Sequence, residues 1–380
     1  MAVDDYKYHE CMQLTSQFKF CPNAFRIDLY RGCDFGCKYC FANMEAFHET
    51  GTGLSVWRSA DIEEVRKRFE LALETDRESK SVVIELLRHR VPLHCGGMSD
   101  PFQSREWEQH LTKQLIEISN KYEYPISFST KTSHLPQDYL DILNPRIHAF
   151  QVSLMGMDEE YVARWETNTP SPTERAEFVK FLREVGFWCS VRIQPIIEID
   201  KVLEMIDMFE DIPSYYSAEH LHVIADSYSA QKALFDNMPN FDDMCINGGV
   251  TEFKHNVKIE NMKRIIEHAN RYGVKVGVAD NDLHFMSQTR CCCGIDTLEA
   301  FSNYLKFNSC YMSTGESDID SLWIPKSNVR RHMNVGKQIP TVYVEDVVKK
   351  YIKENPQLIP DKYRENVETK LFGTYKQRLF

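Results

Sequence analysis

Three cysteines stand close together in the segment Arg31-Gly32-Cys33-Asp34-Phe35-Gly36-Cys37-Lys38-Tyr39-Cys40-Phe41. Gly32 and Gly36 allow the backbone to curl tightly, so the three sulfurs can converge on one inorganic centre. Three thiolates satisfy three irons of a [4Fe–4S] cluster, which normally takes four cysteine ligands. The fourth iron is then open to a ligand from outside the protein, and an open coordination position is typical of a catalytic metal site.

A structural zinc site is the alternative for this segment. It needs a fourth ligand, for which His48 is the nearest nitrogen donor along the chain. Zinc cysteines usually come as one CxxC pair with a distant second pair, and the CxxxCxxC spacing here differs from that pattern. The spacing therefore favours an iron–sulfur cluster held by Cys33, Cys37 and Cys40.

The chain around this segment alternates short β-rich runs with amphipathic helices. The clearest unit begins with Ser171 as a predicted N-cap, Pro172 in the first helical position and Glu174 completing a capping box. Gly186 ends the predicted helix, and a strand is expected over residues 187–193, before a proline.

Comparable units occur on both sides of this one. Predicted strands cover residues 25–30, 91–95, 126–130, 147–154, 221–225 and 274–278, and predicted helices lie near residues 61–73, 105–122, 203–209 and 259–269. Alternating strands and helices imply a parallel sheet with right-handed crossovers. We therefore predict an α/β fold, a partial (β/α)6-type parallel barrel with an appended C-terminal region. A doubly wound sheet is the alternative.

Three regions follow from this pattern. They are an N-terminal extension over residues 1–24, the partial barrel over residues 25–280 and a cysteine-containing C-terminal region over residues 281–380. The last region has scattered prolines and one predicted helix near residues 344–352. Its basic residues favour a solvated face over a nucleic-acid groove, because acidic residues interrupt them.

Composition narrows the class of protein. The 380 residues carry a formal net charge of −11, which argues against loose, sequence-blind binding to nucleic acid. No apolar run approaches the roughly 18 residues of a membrane span, and the first residues are acidic where a signal peptide is basic. We expect a cytoplasmic protein whose cysteines serve metal or redox chemistry and not a disulfide framework.

The cysteine segment resembles the signature of the radical S-adenosylmethionine superfamily. The Ser99-Asp100-Pro101-Phe102 segment, residues 129–131 and residues 166–175 look like the branch that contains spore photoproduct lyase. The resemblance implies that the open iron binds S-adenosylmethionine. It also implies reductive cleavage of that cofactor to a 5′-deoxyadenosyl radical, which abstracts hydrogen from a substrate, and an electron donor such as flavodoxin or ferredoxin.

The resemblance implies a set of cofactor-binding residues. Tyr39 would contact adenine, with core packing as the alternative. The backbone of a glycine pair would meet the methionine amino group, although Met98 stands where family members carry an acidic residue. The full set is Tyr39, Gly96, Gly97, Met98, Lys131, Ser153, Arg175 and Arg192.

Four members of this set stand at strand ends or in a first helical turn. Lys131 would bind the methionine carboxylate, and Ser153 would hold the ribose. Arg175 lies in the first turn of a predicted helix, where the dipole alone disfavours a cation, so an anion-binding role is indicated. A solvated surface position is the alternative for Lys131, and a structural ion pair is the alternative for Arg192.

Cys95 is the candidate catalytic thiol. It directly follows a predicted strand and precedes two glycines, and strand ends face the active site in barrel enzymes. Spore photoproduct lyase uses a cysteine in this general region to return hydrogen to a product radical. A buried, inert thiol is the alternative.

A second group of cysteines is Cys291, Cys292 and Cys293, with Cys310 downstream and Cys245 as a further candidate. Three consecutive side chains cannot all face one point in regular structure, so at most two are expected to share a metal. An auxiliary iron–sulfur cluster or a zinc site is the functional interpretation, and buried thiols without a ligand are the alternative.

These observations leave three functional hypotheses. The first is a radical S-adenosylmethionine enzyme, of the lyase or oxidoreductase type, that acts on a nucleobase or a nucleic-acid lesion. The second keeps that chemistry but modifies a peptide or natural product with the help of an auxiliary cluster. The third is a zinc-stabilised binding module without catalysis.

Overall fold

The computed structural model describes residues 11–15, 21–42, 57–224, 238, 241–247, 250–289 and 291–304. Its centre is an eight-stranded sheet with strand order β1-β2-β5-β6-β7-β8-β9-β13. β1 is antiparallel to β2, and all the other neighbouring strands are parallel. The predicted α/β fold with a mostly parallel sheet of the partial-barrel type is confirmed.

The strands of the described residues are β1 Met12–Leu14, β2 Phe25–Ile27, β3 Tyr30–Arg31, β4 Arg58–Ser59, β5 Leu93–Cys95, β6 Ile126–Thr130, β7 His148–Ser153, β8 Trp188–Ile196, β9 Tyr215–His220, β10 His222–Ile224, β11 Met244–Asn247, β12 Val250–Phe253 and β13 Val276–Val278. The helices are Ile62–Leu73, Val82–Arg88, Glu106–Gln109, Leu111–Tyr122, Gln137–Leu140, Glu159–Trp165, Pro172–Glu184, Ile199–Phe209 and His255–Arg271. β3 pairs with β4, and β10, β12 and β11 form a separate three-stranded sheet.

Local signals determine the helix that follows β7. The Ser171 hydroxyl accepts a hydrogen bond from the Glu174 amide at 3.2 Å, and the Glu174 carboxylate accepts one from the Ser171 amide at 2.8 Å. This reciprocal arrangement satisfies two amides that would lack partners at a helix start. The predicted capping box is confirmed, and the helix runs over Pro172–Glu184.

The two faces of the central sheet differ in polarity. Side chains on the outer face pack with the helices in one hydrophobic core and include Phe25, Ile27, Leu93, Phe128, Phe150, Val191, Tyr216 and Val278. Strand residues alternate between faces, so their neighbours point to the opposite side, which we call the inner face. Towards the carboxyl ends of the strands the inner face is mostly polar and includes Arg26, His94, Ser129, Gln151, Ser153, Arg192, Ser217 and Glu219, whereas Ala149, Trp188 and Tyr215 lie on the same face at the strand starts.

The segment after β13 closes one end of the inner face. Cys291, Cys293 and Phe301 pack with Ala149 of β7 in a small hydrophobic cluster. A Cβ built on Gly277 would overlap the backbone of Cys292, so the segment lies directly against β13. Residues 291–301 therefore pack on the inner face of the sheet, near the starts of its strands.

Several element boundaries differ from the sequence-based expectation. The strand expected over residues 221–225 is replaced in the central sheet by β9, and residues 222–224 belong to the separate small sheet. β8 continues past the expected stop through Pro195 to Ile196. The helix expected over residues 105–122 is divided at His110, whose φ of 55° is in the left-handed region.

Candidate active site

The cysteine segment forms a loop at the carboxyl end of β3. Gly32 has a φ of 90° and Gly36 a φ of 63°, values that side-chain-bearing residues rarely adopt. The Cys40 amide donates to the Cys37 carbonyl at 3.2 Å, which closes a turn between these two cysteines. Burial raises the pKa of the Cys37 thiol to about 12 and also raises that of Cys33. A bound iron would have to displace these protons, since the thiolate is the metal ligand.

The segment after the helix Glu159–Trp165 holds one side of this loop. The Asn168 side-chain amide donates to the Asp34 carbonyl at 2.9 Å, and its backbone amide donates to the Phe35 carbonyl at 3.1 Å. The Thr167 hydroxyl donates to the Gly36 carbonyl at 3.2 Å. Hydrogen bonds to three consecutive carbonyls leave the loop little freedom to change shape.

Residues that follow β5 hold the other side. The Gln103 side chain donates to the Gly32 carbonyl at 3.1 Å, and the Ser104 amide donates to the Asp34 carboxylate at 3.1 Å. Two segments that are distant in sequence thus fix the loop from both sides. Sequence reasoning missed these contacts, although Thr167 and Asn168 belong to a motif on which the resemblance rests and Gln103 directly follows another.

A buried carboxylate, Glu166, lies at the centre of the residues expected to bind the cofactor. It forms ion pairs with Arg175 at 2.7 Å and with Lys131 at 3.2 Å, and it accepts a hydrogen bond from the Tyr39 hydroxyl. Burial would raise the pKa of Glu166, but Lys131, Arg175 and Tyr39 together lower it to about 2. Sequence reasoning did not identify Glu166 as a partner of these side chains.

This arrangement bears on the roles expected for Lys131 and Arg175. Both cations already have a carboxylate partner, and the Lys131 ammonium also lies 5.6 Å from the centre of the Tyr39 ring. Arg175 additionally donates to the Ser153 carbonyl at 2.7 Å. The structure therefore brings Tyr39, Lys131 and Arg175 together around Glu166, and Arg175 links Ser153 to this group.

The glycine pair after β5 is packed against its neighbours on both sides. A Cβ on Gly96 would overlap the Ser129 carbonyl, and one on Gly97 would overlap the Arg26 side chain. The Met98 amide donates to the Asp28 carboxylate at 2.7 Å. Since this N–H group already has an acceptor, the carbonyls of the segment are the groups left to meet a ligand amino group. The expected contact of these carbonyls with the methionine end of S-adenosylmethionine stays a prediction.

Asp100 connects the glycine segment to the end of β6. Its carboxylate accepts hydrogen bonds from the Lys131 amide at 2.6 Å, the Thr130 hydroxyl at 2.8 Å and the Phe102 amide at 2.9 Å. Burial raises the pKa of Asp100 to about 6, and these hydrogen bonds limit the increase. Asp100 thus fixes the position of Lys131 relative to the glycine pair.

Arg192 and Ser153 lie side by side at the carboxyl side of the sheet, because they are register partners between β7 and β8. The Arg192 guanidinium donates to the Ser129 hydroxyl at 3.2 Å and also contacts the Gln194 side chain. The same Ser129 hydroxyl lies 2.7 Å from His94 Nε2. Burial, then the charges of Arg192 and Arg26, lower the pKa of His94 to about 3, so its ring is neutral near pH 7.

Cys95 occupies a different place from the one expected. Its side chain is 0% exposed and belongs to the hydrophobic core on the outer face, together with Leu93 and Phe128. Its neighbour His94 is the β5 residue that points to the inner face. This placement does not support hydrogen donation by Cys95, because the outer face is covered by helices.

The second cysteine group lies at the closed end of the inner face. The Cys291 and Cys293 sulfurs are 3.0 Å apart, and Cys292 forms thiol hydrogen bonds with Cys21 and Cys291. Cys21 was not expected to join this group, since it lies some 270 positions earlier in the chain.

The remaining cysteine candidates separate from this group. Cys245 belongs to the separate three-stranded sheet, and Cys310 lies outside the described residues. Over the part of the chain that the structure describes, no set of three or more His, Cys, Asp or Glu side chains has the geometry to hold a single metal ion.

A model of the Radical SAM superfamily matches residues 27–209, so the chain contains a radical SAM domain. Proteins of this superfamily use a [4Fe–4S] cluster and S-adenosylmethionine, and these are the cofactors of the domain. The match begins within β2 and includes the cysteine loop, the glycine pair, Glu166 and Arg192.

The chain is also similar to individual proteins. An uncharacterized protein of Mycobacterium tuberculosis (strain ATCC 25618 / H37Rv) and one of Mycobacterium bovis are each 26% identical over 211 residues. The alignment covers 51% of this chain and 57% of those relatives, so the chain spans little more than half of their length.

Solved structures of spore photoproduct lyase share the fold. One single-residue variant matches with a TM-score of 0.54 and 15% identity, over 72% of this chain and 80% of that chain. Another variant, described with bound AdoMet and dinucleoside spore photoproduct, matches with a TM-score of 0.51 and 14% identity, over 67% and 76%. Across the described residues, none of the helices has the length and apolar character needed to cross a membrane.

Proposed function

We propose that this protein is a radical S-adenosylmethionine enzyme whose cluster is held by Cys33, Cys37 and Cys40. When bound, the cluster supplies the electron that cleaves S-adenosylmethionine and thereby yields the 5′-deoxyadenosyl radical that takes hydrogen from the substrate. The single observation that carries this proposal is the cysteine loop, which hydrogen bonds from residues 103–104 and 167–168 hold in one conformation.

The protein's own residues would orient the cofactor. The carbonyls of the glycine pair would accept hydrogen bonds from the methionine amino group. Tyr39 and Lys131 would line the same side, held in place by Glu166 and Asp100. Ser153 stands at the end of β7, and its hydroxyl would hold the ribose. An electron donor such as flavodoxin or ferredoxin would reduce the cluster, and we expect this to occur in the cytoplasm.

A nucleobase-type compound is the substrate class that we propose. The inner face offers hydroxyl, amide and guanidinium groups, which match the hydrogen-bonding edges of a base. A lyase-type reaction, in which a bond of the substrate radical breaks, is proposed from the shared fold with spore photoproduct lyase.

The test replaces Cys33, Cys37 and Cys40 by Ala. After anaerobic reconstitution, the triple variant should lack the absorbance near about 400 nm of an iron–sulfur cluster and should form no 5′-deoxyadenosine on reduction. Cys189→Ala is the control, because that thiol belongs to the outer-face core and not to the cysteine loop. Cleavage of S-adenosylmethionine by the folded triple variant would contradict the proposal.

The thiols at the closed end of the inner face favour a second candidate, a peptide or natural-product modifying enzyme with an auxiliary cluster. The gathering of four thiols, Cys21, Cys291, Cys292 and Cys293, is the observation that favours it. The wild type would then carry roughly four more irons per chain than a variant with Ala at positions 291, 292 and 293. Equal iron in the two folded proteins would eliminate this candidate.

A further inference from the structure

The polarity of the inner face is unusual for a parallel sheet. Strands in such sheets are normally apolar on both faces, because helices or a packed barrel core cover each side. Here the outer face follows that rule, but β6, β7, β8 and β9 each place serine, glutamine, arginine or glutamate on the inner side. Polar groups at these positions need partners, and the inner face therefore has the composition of a binding chamber.

Arg192 is the cation of this chamber that has no carboxylate partner among the described residues. In the part of the chain that the structure describes, no Asp or Glu oxygen lies within 4.0 Å of its guanidinium, which contacts Ser129 and Gln194. The other cations near the chamber are paired. Arg26 lies 2.7 Å from Asp28, and Lys131 and Arg175 share Glu166.

Among the described residues Arg192 has no ionised carboxylate beside it, although its charge, after hydrogen bonds with Cys21 and Cys291 and the charge of His284, helps to lower the pKa of the Cys292 thiol well below 9.0. His94 is neutral near pH 7 and offers only a hydrogen bond. Glu219 is the nearby carboxyl on the inner face, and burial raises its pKa to about 7, so much of it is protonated at neutral pH. A guanidinium has donors in a planar fork that fits a carboxylate or phosphate.

The chamber is closed at one end, and some of the side chains that line it are exposed to solvent. Cys291 and Cys293 are buried beneath it, whereas Cys292, Glu219 and Arg192 are partly exposed. A ligand must therefore approach from the carboxyl ends of the strands, the end at which the cysteine loop lies.

We propose that Arg192, with Ser129 and His94 beside it, binds the carboxylate or phosphate of a small anionic substrate on the inner face of the barrel. That the bound anion is a substrate rests on the proposed function, but the anion site itself does not. This role differs from the cofactor contact expected for Arg192, because the bound anion would belong to the substrate and not to S-adenosylmethionine.

The experiment uses Cys292 as a reporter on the chamber. Iodoacetate and iodoacetamide are nearly the same size and differ by one negative charge, so the ratio of their alkylation rates cancels differences in accessibility. The ratio is measured on reconstituted protein by peptide mass spectrometry at Cys292 and at Cys245, which is partly exposed in the separate sheet. The preference for iodoacetate should be larger at Cys292, and inorganic phosphate should slow iodoacetate labelling there.

Arg192→Gln should lower the preference for iodoacetate at Cys292 by about three-fold or more, because it removes one positive charge from a partly hydrated site. Arg183→Gln is the matched control, since Arg183 hydrogen-bonds backbone carbonyls of Phe187 and Ile212 away from the chamber. An unchanged ratio in Arg192→Gln would overturn the proposal, and so would the absence of labelling at Cys292 by either reagent.

A last arm separates the substrate from the cofactor. S-adenosylmethionine is added to the reconstituted wild type, and the preference for iodoacetate should persist. Loss of the preference would overturn the proposal, because the cofactor's own carboxylate would then occupy Arg192. The labelling ratios do not depend on radical chemistry, whereas failure of the proposed function would appear as absent 5′-deoxyadenosine.

Discussion

The guanidinium of Arg175 lies 2.7 Å from the carboxylate of Glu166, and neither side chain is exposed to solvent. Removing one partner of a buried ion pair leaves an uncompensated charge, which costs more than the pair itself contributes. Because Glu166 also holds Lys131 and Tyr39, the pair positions two of the side chains expected around the cofactor.

Arg175→Met should therefore lower the free energy of unfolding by about 3 kcal/mol. The double variant Glu166→Gln with Arg175→Met should recover part of that loss, since it removes both buried charges of the pair, and Lys131, which then loses its carboxylate, is 14% exposed to solvent. Urea unfolding of the apo protein measures both. Arg264→Met is the control, because the Arg264–Asp200 pair is exposed and should change stability by less than about 1 kcal/mol. A similarly small loss in Arg175→Met would contradict the prediction.

Asn168→Ala should weaken retention of the cluster without unfolding the chain. The variant loses the 2.9 Å hydrogen bond to the Asp34 carbonyl, so the loop between Cys33 and Cys37 gains freedom. Groups that orient metal ligands typically affect metal affinity by about ten-fold or more. The rate at which a chelator removes iron should rise accordingly.

Thr173→Ala serves as the control for Asn168→Ala. Thr173 lies in the same region, but its hydroxyl donates to Glu159 at 3.3 Å and makes no contact with the cysteine loop. Equal rates of iron loss in the two variants would show that Asn168 does not stabilise the loop around the cluster.

Local features of the fold were predictable from sequence. The capping box at Ser171 and Glu174 and the limits of β6 depend on residues a few positions apart, and both predictions are confirmed. The central role of Glu166 was not predictable in this way. Its partners come from positions 39, 131 and 175, and only the tertiary fold brings these positions together.

The alternation of apolar and polar residues in β5 already indicates, in the sequence, which side chain faces the chamber. Leu93-His94-Cys95 alternates apolar, polar and apolar residues, so His94 and Cys95 must point to opposite faces. The polar residue of such a strand is the one that faces a chamber. The place of Cys95 in this alternation therefore predicts the direction of its side chain better than its position at a strand end does.

Glu219 should make stability depend on pH. Burial raises its pKa from 4.5 to about 7, although its side chain remains 23% exposed. An acid whose pKa is higher in the folded state disfavours folding once the unfolded chain ionises, so stability falls as pH rises from about 4.5 to 7. Glu219→Gln removes this penalty and should be more stable than the wild type at pH 8 by on the order of 2 kcal/mol.

Near pH 4, Glu219→Gln and the wild type should have the same stability, because Glu219 is then protonated in both states. The comparison is made by urea unfolding at both pH values. Glu204→Gln is the control, since that carboxylate is 63% exposed in its i,i+3 pair with Lys201. A gain that does not depend on pH would contradict the assignment of the effect to ionisation of Glu219.

Gly277→Ala should displace the segment that closes the inner face. A Cβ at this position would overlap the carbonyl oxygen, the carbonyl carbon and the Cα of Cys292. These backbone atoms cannot move aside as a flexible side chain can. Overpacking of this kind costs about 1–3 kcal/mol, and the strain should be relieved by movement of residues 291–294 away from β13. Cys292 should then react faster with iodoacetamide, as measured by peptide mass spectrometry.

Gly156→Ala is the control, because its Cβ would meet only side-chain atoms of Lys201 and Tyr161 at 3.4 Å. Unchanged reactivity of Cys292 in a destabilised Gly277→Ala protein would show that the sheet, and not this segment, absorbs the strain.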